Sequence, residues 1–123
     1  LRIIYEVGEK YGIKIANAFH AGDGNIHPCL LFDERIPGSV ENVKNASAEI
    51  LKACVDLGGT ISGEHGIGSE KNNYMPWIFS ENDLKFMQDL KDAFNPQNQL
   101  NPGKIFPTSR TCLETKVRKK KSA

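Results

Sequence analysis

The chain has little that would staple a small fold or anchor it in lipid. Its three cysteines, Cys29, Cys54 and Cys112, are odd in number and far apart, with no CxxC pair. That excludes a disulfide framework, a thiolate zinc knuckle and a redox dithiol, and reads as reduced thiols in a cytoplasmic protein. No run approaches the roughly 18 apolar residues of a membrane-spanning helix, and the first residues carry no signal- or transit-peptide pattern. Net charge is also lacking: 16 basic against 15 acidic side chains leave +1. Such a balance gives no field of one sign to draw nucleic acid or a membrane surface. A length of 123 residues suits one domain that buries its own core, so stability alone does not demand a metal.

Histidine is scarce too, yet its distribution is informative. All three imidazoles stand beside glycines in two short segments, Phe19-His-Ala-Gly-Asp-Gly-Asn-Ile-His27 and Ser62-Gly-Glu-His-Gly-Ile-Gly68. Around them the periodicities predict an α+β fold, an antiparallel sheet packed with helices. Ile3, Ile4, Val7 and Tyr11 fall at helical spacing before Gly12, a C-terminal stop. The chain starts inside this helix, which reads as a piece of a longer protein. Residues 13–19 alternate as a strand, with Ile13, Ile15 and Phe19 on one face and Ala16, Ala18 and His20 on the other. A second strand, residues 26–32, puts His27, Cys29 and Leu31 on one face, and Pro28 assigns it to an edge or bulge. Paired as a hairpin, the strands are expected to set His20 opposite His27, with Cβ atoms about 4.5–5.5 Å apart.

Ser39 is the expected N-cap of a helix running to Leu57, whose stripe Val40, Val43, Ala46, Ile50, Leu51, Cys54 and Leu57 reads as core. Thr60–Ser62 is expected as a short strand leading into the second glycine cluster. A turn or two of helix over 69–74 should break at Pro76, with Trp77, Ile78 and Phe79 as packing residues. Ser80 with Asp83 predicts a capping box for a helix carrying Leu84, Met87, Leu90 and Phe94 toward a core, stopped by Asn95-Pro96. Residues 99–107 are extended and turn-rich. From Thr108 the apolar pattern fades, and the basic run 116–121 reads as a solvated tail, so the domain is placed at 1–107 and the tail at 108–123.

Two imidazoles and a carboxylate make a three-ligand set with an open position, as in metals that act as Lewis acids. His20, His27 and Glu64 supply it. Zinc is the first choice, with manganese, iron and cobalt left open by ligand type. Asp23 either orients a ligand or serves the turn. If Glu64 faced the metal from an extended segment, His65 would face an adjacent space and could act as general base; the alternative is a histidine that caps the glycine loop. A bland account stands beside this, in which each histidine is a hydrogen-bonded structural residue and each glycine only a positive φ. The concentration of all the histidines in two glycine-rich pieces favours a site. A metal-dependent hydrolase with Glu64 or His65 activating water, and a non-catalytic anion-binding module, are the other classes such a constellation allows.

His-Ala-Gly-Asp-Gly-Asn-Ile-His (20–27), Gly-Glu-His-Gly-Ile-Gly (63–68) and Leu-Asn-Pro-Gly-Lys-Ile-Phe (100–106) resemble the successive motifs of the C-terminal domain of FAD-linked oxidases. The resemblance is to the glycolate oxidase and D-lactate dehydrogenase group, and it covers about residues 1–107. It implies part of a ferredoxin-like cap domain, working with an FAD-binding domain of the vanillyl-alcohol-oxidase type that would belong to the same parent chain. It implies oxidation of a small 2-hydroxy acid by hydride transfer from C2 to FAD. By the same resemblance His20, His27 and Glu64 bind a divalent ion, commonly zinc, and His65 is the base. Asn101, Gly103 and Lys104 approach the flavin, Lys71 matches a further family position, and an electron-acceptor subunit is a possible partner. Without the flavin-binding domain, this chain is expected to be inactive and to hold no stoichiometric flavin.

Overall fold

The structure is a computed structural model that describes residues 1–107; the basic run and Cys112 lie outside the described residues. The chain divides into two units, Leu1–Gly63 and a second beginning at Glu64.

In the first unit, helix α1 spans Arg2–Tyr11 and ends, as expected, on Gly12 in the left-handed region at φ 66°. Strands β1 (Lys14–His20) and β2 (Asn25–Leu31) form an antiparallel pair joined by a 3₁₀ turn, Ala21–Asp23. Helix α2 spans Ser39–Asp56. Ile4 and Val7 of α1 meet Ala46 and Ile50 of α2, and Ile15 and Leu30, paired across the hairpin, pack against them. One sheet face therefore closes the core and leaves the other to the polar and small side chains. Gly8 lets α1 lie close to the chain entering β1, since a Cβ there would stand 2.9 Å from the Ile13 carbonyl oxygen. Glu49 ties the helices at the surface, accepting from Lys10 Nζ at 2.7 Å and from Tyr11 Oη at 3.1 Å. The α+β class stands. The order α1-β1-β2-α2 is the inner part of the ferredoxin-like sequence β-α-β-β-α-β.

Several local expectations need correction. The N-cap of α2 is Gly38, at φ 83°, rather than Ser39. The Ser39 hydroxyl instead donates 2.6 Å back to the Asp33 carbonyl. Cys54 is exposed and not core, and Leu57 is 78% exposed. The reason is length: 18 residues make a helix of about 27 Å, whereas the 10 residues of α1 cover about 15 Å of it. The apolar stripe outruns its cover. Thr60–Ser62 forms no strand but a bend, because Gly58 (φ 83°) and Gly59 turn the chain back over the helix end. The Gly59 amide there donates to the Cys54 carbonyl at 2.9 Å.

In the second unit, a 3₁₀ segment, Asn72–Trp77, runs through Pro76 instead of stopping before it. A short 3₁₀ run has few internal bonds for proline to break, and its φ suits the ring. Met75 is buried, while Trp77 and Ile78 are partly exposed and Trp77 lies 4.6 Å from the Tyr74 ring. Helix α3, Glu81–Phe94, carries the expected capping box: Asp83 N–H donates to Ser80 Oγ at 3.2 Å, and Ser80 N–H to Asp83 Oδ2 at 2.9 Å. The Ser80 hydroxyl, donating to Asp83 Oδ2 at 2.6 Å, and after it the Ser80 amide hold the Asp83 carboxyl below its usual range. The expected core stripe of α3 is corrected, for no residue of the helix is buried and Leu90 and Phe94 are 52% and 82% exposed. Asn95 ends the helix and clamps the following turn. Its Oδ1 accepts from the amides of Gln99 (2.9 Å) and Leu100 (3.1 Å), and its Nδ2 donates to the Leu100 carbonyl (3.1 Å).

Candidate functional site

The hairpin register pairs Ala18 with His27 and His20 with Asn25. His20 and His27 are therefore diagonal neighbours, not directly opposed as expected, because the 3₁₀ turn closes the hairpin between His20 and Asn25. Paired residues share a face, so His20, Ala18, Asn25, His27 and Cys29 all lie on the side away from the core. Diagonal positions are still within reach of long side chains. The two rings meet edge to face with centroids 5.4 Å apart, and each offers a nitrogen within 4.8 Å of the other's. His20 is exposed and His27 half-buried, and the cross-strand partner of His27 is the small Ala18. Gly24, at φ 68°, makes the left-handed step that returns the chain into β2. Asp23 sits exposed in the turn.

Asn25, which the motif pattern does not single out, stands on this face at the turn end of the hairpin. Its Nδ2 lies 3.4 Å from His27 Nε2. On its other side is Gly63, where a Cβ would stand 2.6 Å from Asn25 Oδ1, 3.0 Å from Cγ and 3.1 Å from Nδ2. Only glycine lets the backbone rest on that carboxamide, which gives the first glycine of the Gly63–Gly68 cluster a definite steric task. An Asn two residues before a histidine on one strand face was the available clue.

The second unit opens with Glu64 and His65. They lie on a bend rather than an extended segment, so their side chains do not diverge as expected: Glu64 Oε1 and His65 Nε2 are 3.9 Å apart and both residues are exposed. From His65 onward the chain curls around a shallow cavity of about 290 Å³ lined by His65 through Lys71 and by Lys104. Gly66 (φ 79°) and Gly68 (φ 57°) make the curl possible. The Ile105 amide donates 2.8 Å to the Gly68 carbonyl, fastening the Asn101–Lys104 motif to the glycine loop, and Lys104 Nζ reaches Ser69 Oγ at 3.4 Å. Two motifs 35 residues apart in sequence thus share one cavity. Of the later motif it takes Lys104; Asn101 and Gly103, at φ 47° and 71°, shape the turn that delivers that lysine. Lys71 also lines the cavity, half-buried in a turn rather than on a helix surface.

Ile105 itself has φ 74°, in the left-handed region, which a β-branched residue rarely enters. The Phe106 amide bonds the Lys104 carbonyl at 2.9 Å, closing a three-residue turn around it. Strain is therefore held at the point where Lys104 meets the cavity.

The family model described as FAD linked oxidases, C-terminal domain, matches residues 1–105. Among curated proteins the chain is 45% identical over 111 residues to glycolate oxidase subunit GlcD of Escherichia coli strain K12, covering 90% of this chain and 22% of that protein. It is 41% identical over 100 residues to a D-lactate dehydrogenase of Archaeoglobus fulgidus, covering 81% and 22%. Against a mitochondrial D-lactate dehydrogenase [cytochrome] of Arabidopsis thaliana it is 32% identical over 88 residues, covering 72% and 16%. The chain thus spans about a fifth of the length of the first of these relatives. With the hairpin of two histidines, the glycine loop and the Asn-Pro-Gly-Lys turn all inside the matched span, the chain belongs to the family of C-terminal domains of FAD linked oxidases.

Proposed function

We propose that this chain is the substrate- and metal-handling part of an FAD-dependent 2-hydroxy-acid dehydrogenase of the glycolate or D-lactate type. It would work with an FAD-binding domain of the same parent chain and pass electrons on to an acceptor subunit. The observation that carries the reading is the pair of imidazoles on one open hairpin face, with ring nitrogens within 4.8 Å. Two nitrogens on one tetrahedral zinc stand about 3.3 Å apart, given Zn–N bonds of about 2.0–2.1 Å. Small side-chain rotations close that gap, so the donor set fits a divalent ion, zinc first. Glu64 is the third ligand in this reading. Its support is covalent: Gly63 rests on Asn25 of the same face, and the Cα of Glu64 lies one peptide, about 3.8 Å, further on.

When bound, the ion supplies Lewis acidity toward the hydroxyl and carboxylate oxygens of the substrate, and FAD supplies the acceptor for the hydride from C2. His20, His27 and Glu64 hold and orient. His65 takes the hydroxyl proton on its imidazole, beside the Glu64 carboxylate. Lys104, delivered by Asn101 and Gly103, faces the same cavity as His65 and lies ready for the anionic edge of the substrate or flavin.

Metal analysis of the purified chain tests the ligand set: about one zinc per chain is expected, and His20→Ala, His27→Ala and Glu64→Ala should each lower it. Unchanged content in all three variants would overturn the assignment. In the parent protein carrying FAD, D-lactate or glycolate should bleach the flavin band, and His65→Ala should slow that bleaching while leaving the metal in place. Ester or phosphoester hydrolysis by the zinc-loaded chain, with no flavin reduction in the parent, would point instead to a hydrolase.

A further inference from the structure

We propose that Asn25 is a positioning residue that decides which nitrogen His27 offers, and that Gly63 is the clamp that keeps it there; this rests on the metal reading above. An imidazole has two nitrogens, and a ligating one must present a lone pair while the other carries the proton. Here Asn25 faces Nε2, so the carboxamide takes Nε2 and ligation falls to Nδ1. Partners that hold the second nitrogen of a ligating histidine fix the ring and raise its basicity.

The carboxamide suits this task because it can serve both states of the ring. With Nδ2 toward Nε2, as in the structure, the amide donates and His27 keeps its proton on Nδ1. Turned by 180° about Cβ–Cγ, it presents Oδ1, accepts the proton from Nε2–H and puts the lone pair on Nδ1, where an ion would take it. The half-turn exchanges two groups of nearly equal size in the same plane. Gly63 permits it and forbids larger excursions. A Cβ on Gly63 would stand 2.6 to 3.1 Å from Oδ1, Cγ and Nδ2, so the carboxamide has no room to move toward that backbone. Swinging the side chain off the ring toward Gly63 is blocked, whereas the two end states of the half-turn fill the same plane. The direct cross-strand partner of Asn25 is His20, so the same side chain also spaces the two imidazoles.

The test uses the chain itself and two readouts. In the metal-free protein, long-range ¹H–¹⁵N correlations of His27 should show the Nδ1–H tautomer in the wild type. Asn25→Asp, which can only accept, should move the proton to Nε2, and Asn25→Ala should give a mixture. Zinc affinity, measured by chelator competition, should fall about 10–100-fold in Asn25→Ala, a loss of the size removal of such partners brings, and be kept in Asn25→Asp. Gly63→Ala, whose methyl would evict the carboxamide, should match Asn25→Ala, and combining the two should add little. Unchanged tautomer and unchanged zinc affinity in Asn25→Ala would overturn the proposal. If the wild type takes up no zinc, the metal reading fails, and the metal-free spectra alone decide whether Asn25 governs the ring.

Discussion

Replacing Asn95 with alanine is expected to loosen the second unit from its α3 end to the cavity. Asn95 is 7% exposed and makes three hydrogen bonds of 2.9 to 3.1 Å to the chain at Gln99 and Leu100. At about 0.5–1.5 kcal/mol net for each bond the full loss would be about 1.5–4.5 kcal/mol. The freed Gln99 and Leu100 groups regain water once the turn opens, which places the expected cost near 2–3 kcal/mol. Trp77, the sole tryptophan, lies in the same unit, so urea unfolding followed by its fluorescence reports on this unit rather than on the α1–α2 core. Hydrogen exchange should speed up at Gln99 and Leu100 and also at Ile105, whose amide bond to Gly68 lies at the end of the same loop. Asn95→Asp keeps both acceptor bonds, but sets a carboxylate oxygen against the Leu100 carbonyl, and should fall between wild type and Asn95→Ala. A cost below about 0.5 kcal/mol, less than one ordinary hydrogen bond, with unchanged exchange at these three amides, would refute the reasoning.

Ile50→Ala should cost about 2–5 kcal/mol, since Ile50 is 9% exposed within the α1–α2 core; far-UV dichroism in urea measures it while Trp77 fluorescence changes little. The Asp83 carboxyl is held below its ordinary value of 3.8 by the Ser80 hydroxyl and amide, and a group depressed on folding stabilises above its unfolded pKa. The first turn of α3 should therefore lose helicity as pH falls below about 4, and Ser80→Ala, which removes the hydroxyl but keeps the amide donor, should weaken that dependence in an acid titration by NMR. Ile105→Gly should be about 0.5–1 kcal/mol more stable than Ile105→Ala, because both lose the side chain while left-handed backbone costs only the alanine, roughly 1–2 kcal/mol less about 0.4–1 kcal/mol for glycine's extra chain entropy. A lower urea midpoint for the glycine variant than for the alanine variant would show that φ at this position stores no strain.

What could be read ahead of the structure was whatever repeats along the chain or is decided within a few residues. The α1 stop at Gly12, the alternation of β1 and β2 and the Ser80–Asp83 capping box depend on neighbours at most a turn away, and all are present. The failures share a cause. Apolar periodicity marks a face that is able to be covered, not one that is, so the stripes through Cys54 and Leu57 of α2 and through Leu90 and Phe94 of α3 read as core although they are exposed. The opposed histidines failed for a related reason: facing depends on register, which the 3₁₀ turn sets, and a two-residue shift leaves the face intact while making the pair diagonal.

For the candidate site, the sequence by itself determined which side chains are on offer, because imidazoles, carboxylates and glycines sit in motifs whose identity survives any packing. It named His20, His27, Glu64, His65 and Lys104, and it named the family to which the chain belongs. Only the tertiary structure decided what stands beside them. That Asn25 lies between the His27 ring and the Gly63 backbone, and that Lys104 and His65 line one cavity, are facts of distance between segments far apart along the chain. Local propensity carries no record of such distances; they follow from the register of a hairpin and from one backbone bond, Ile105 to Gly68.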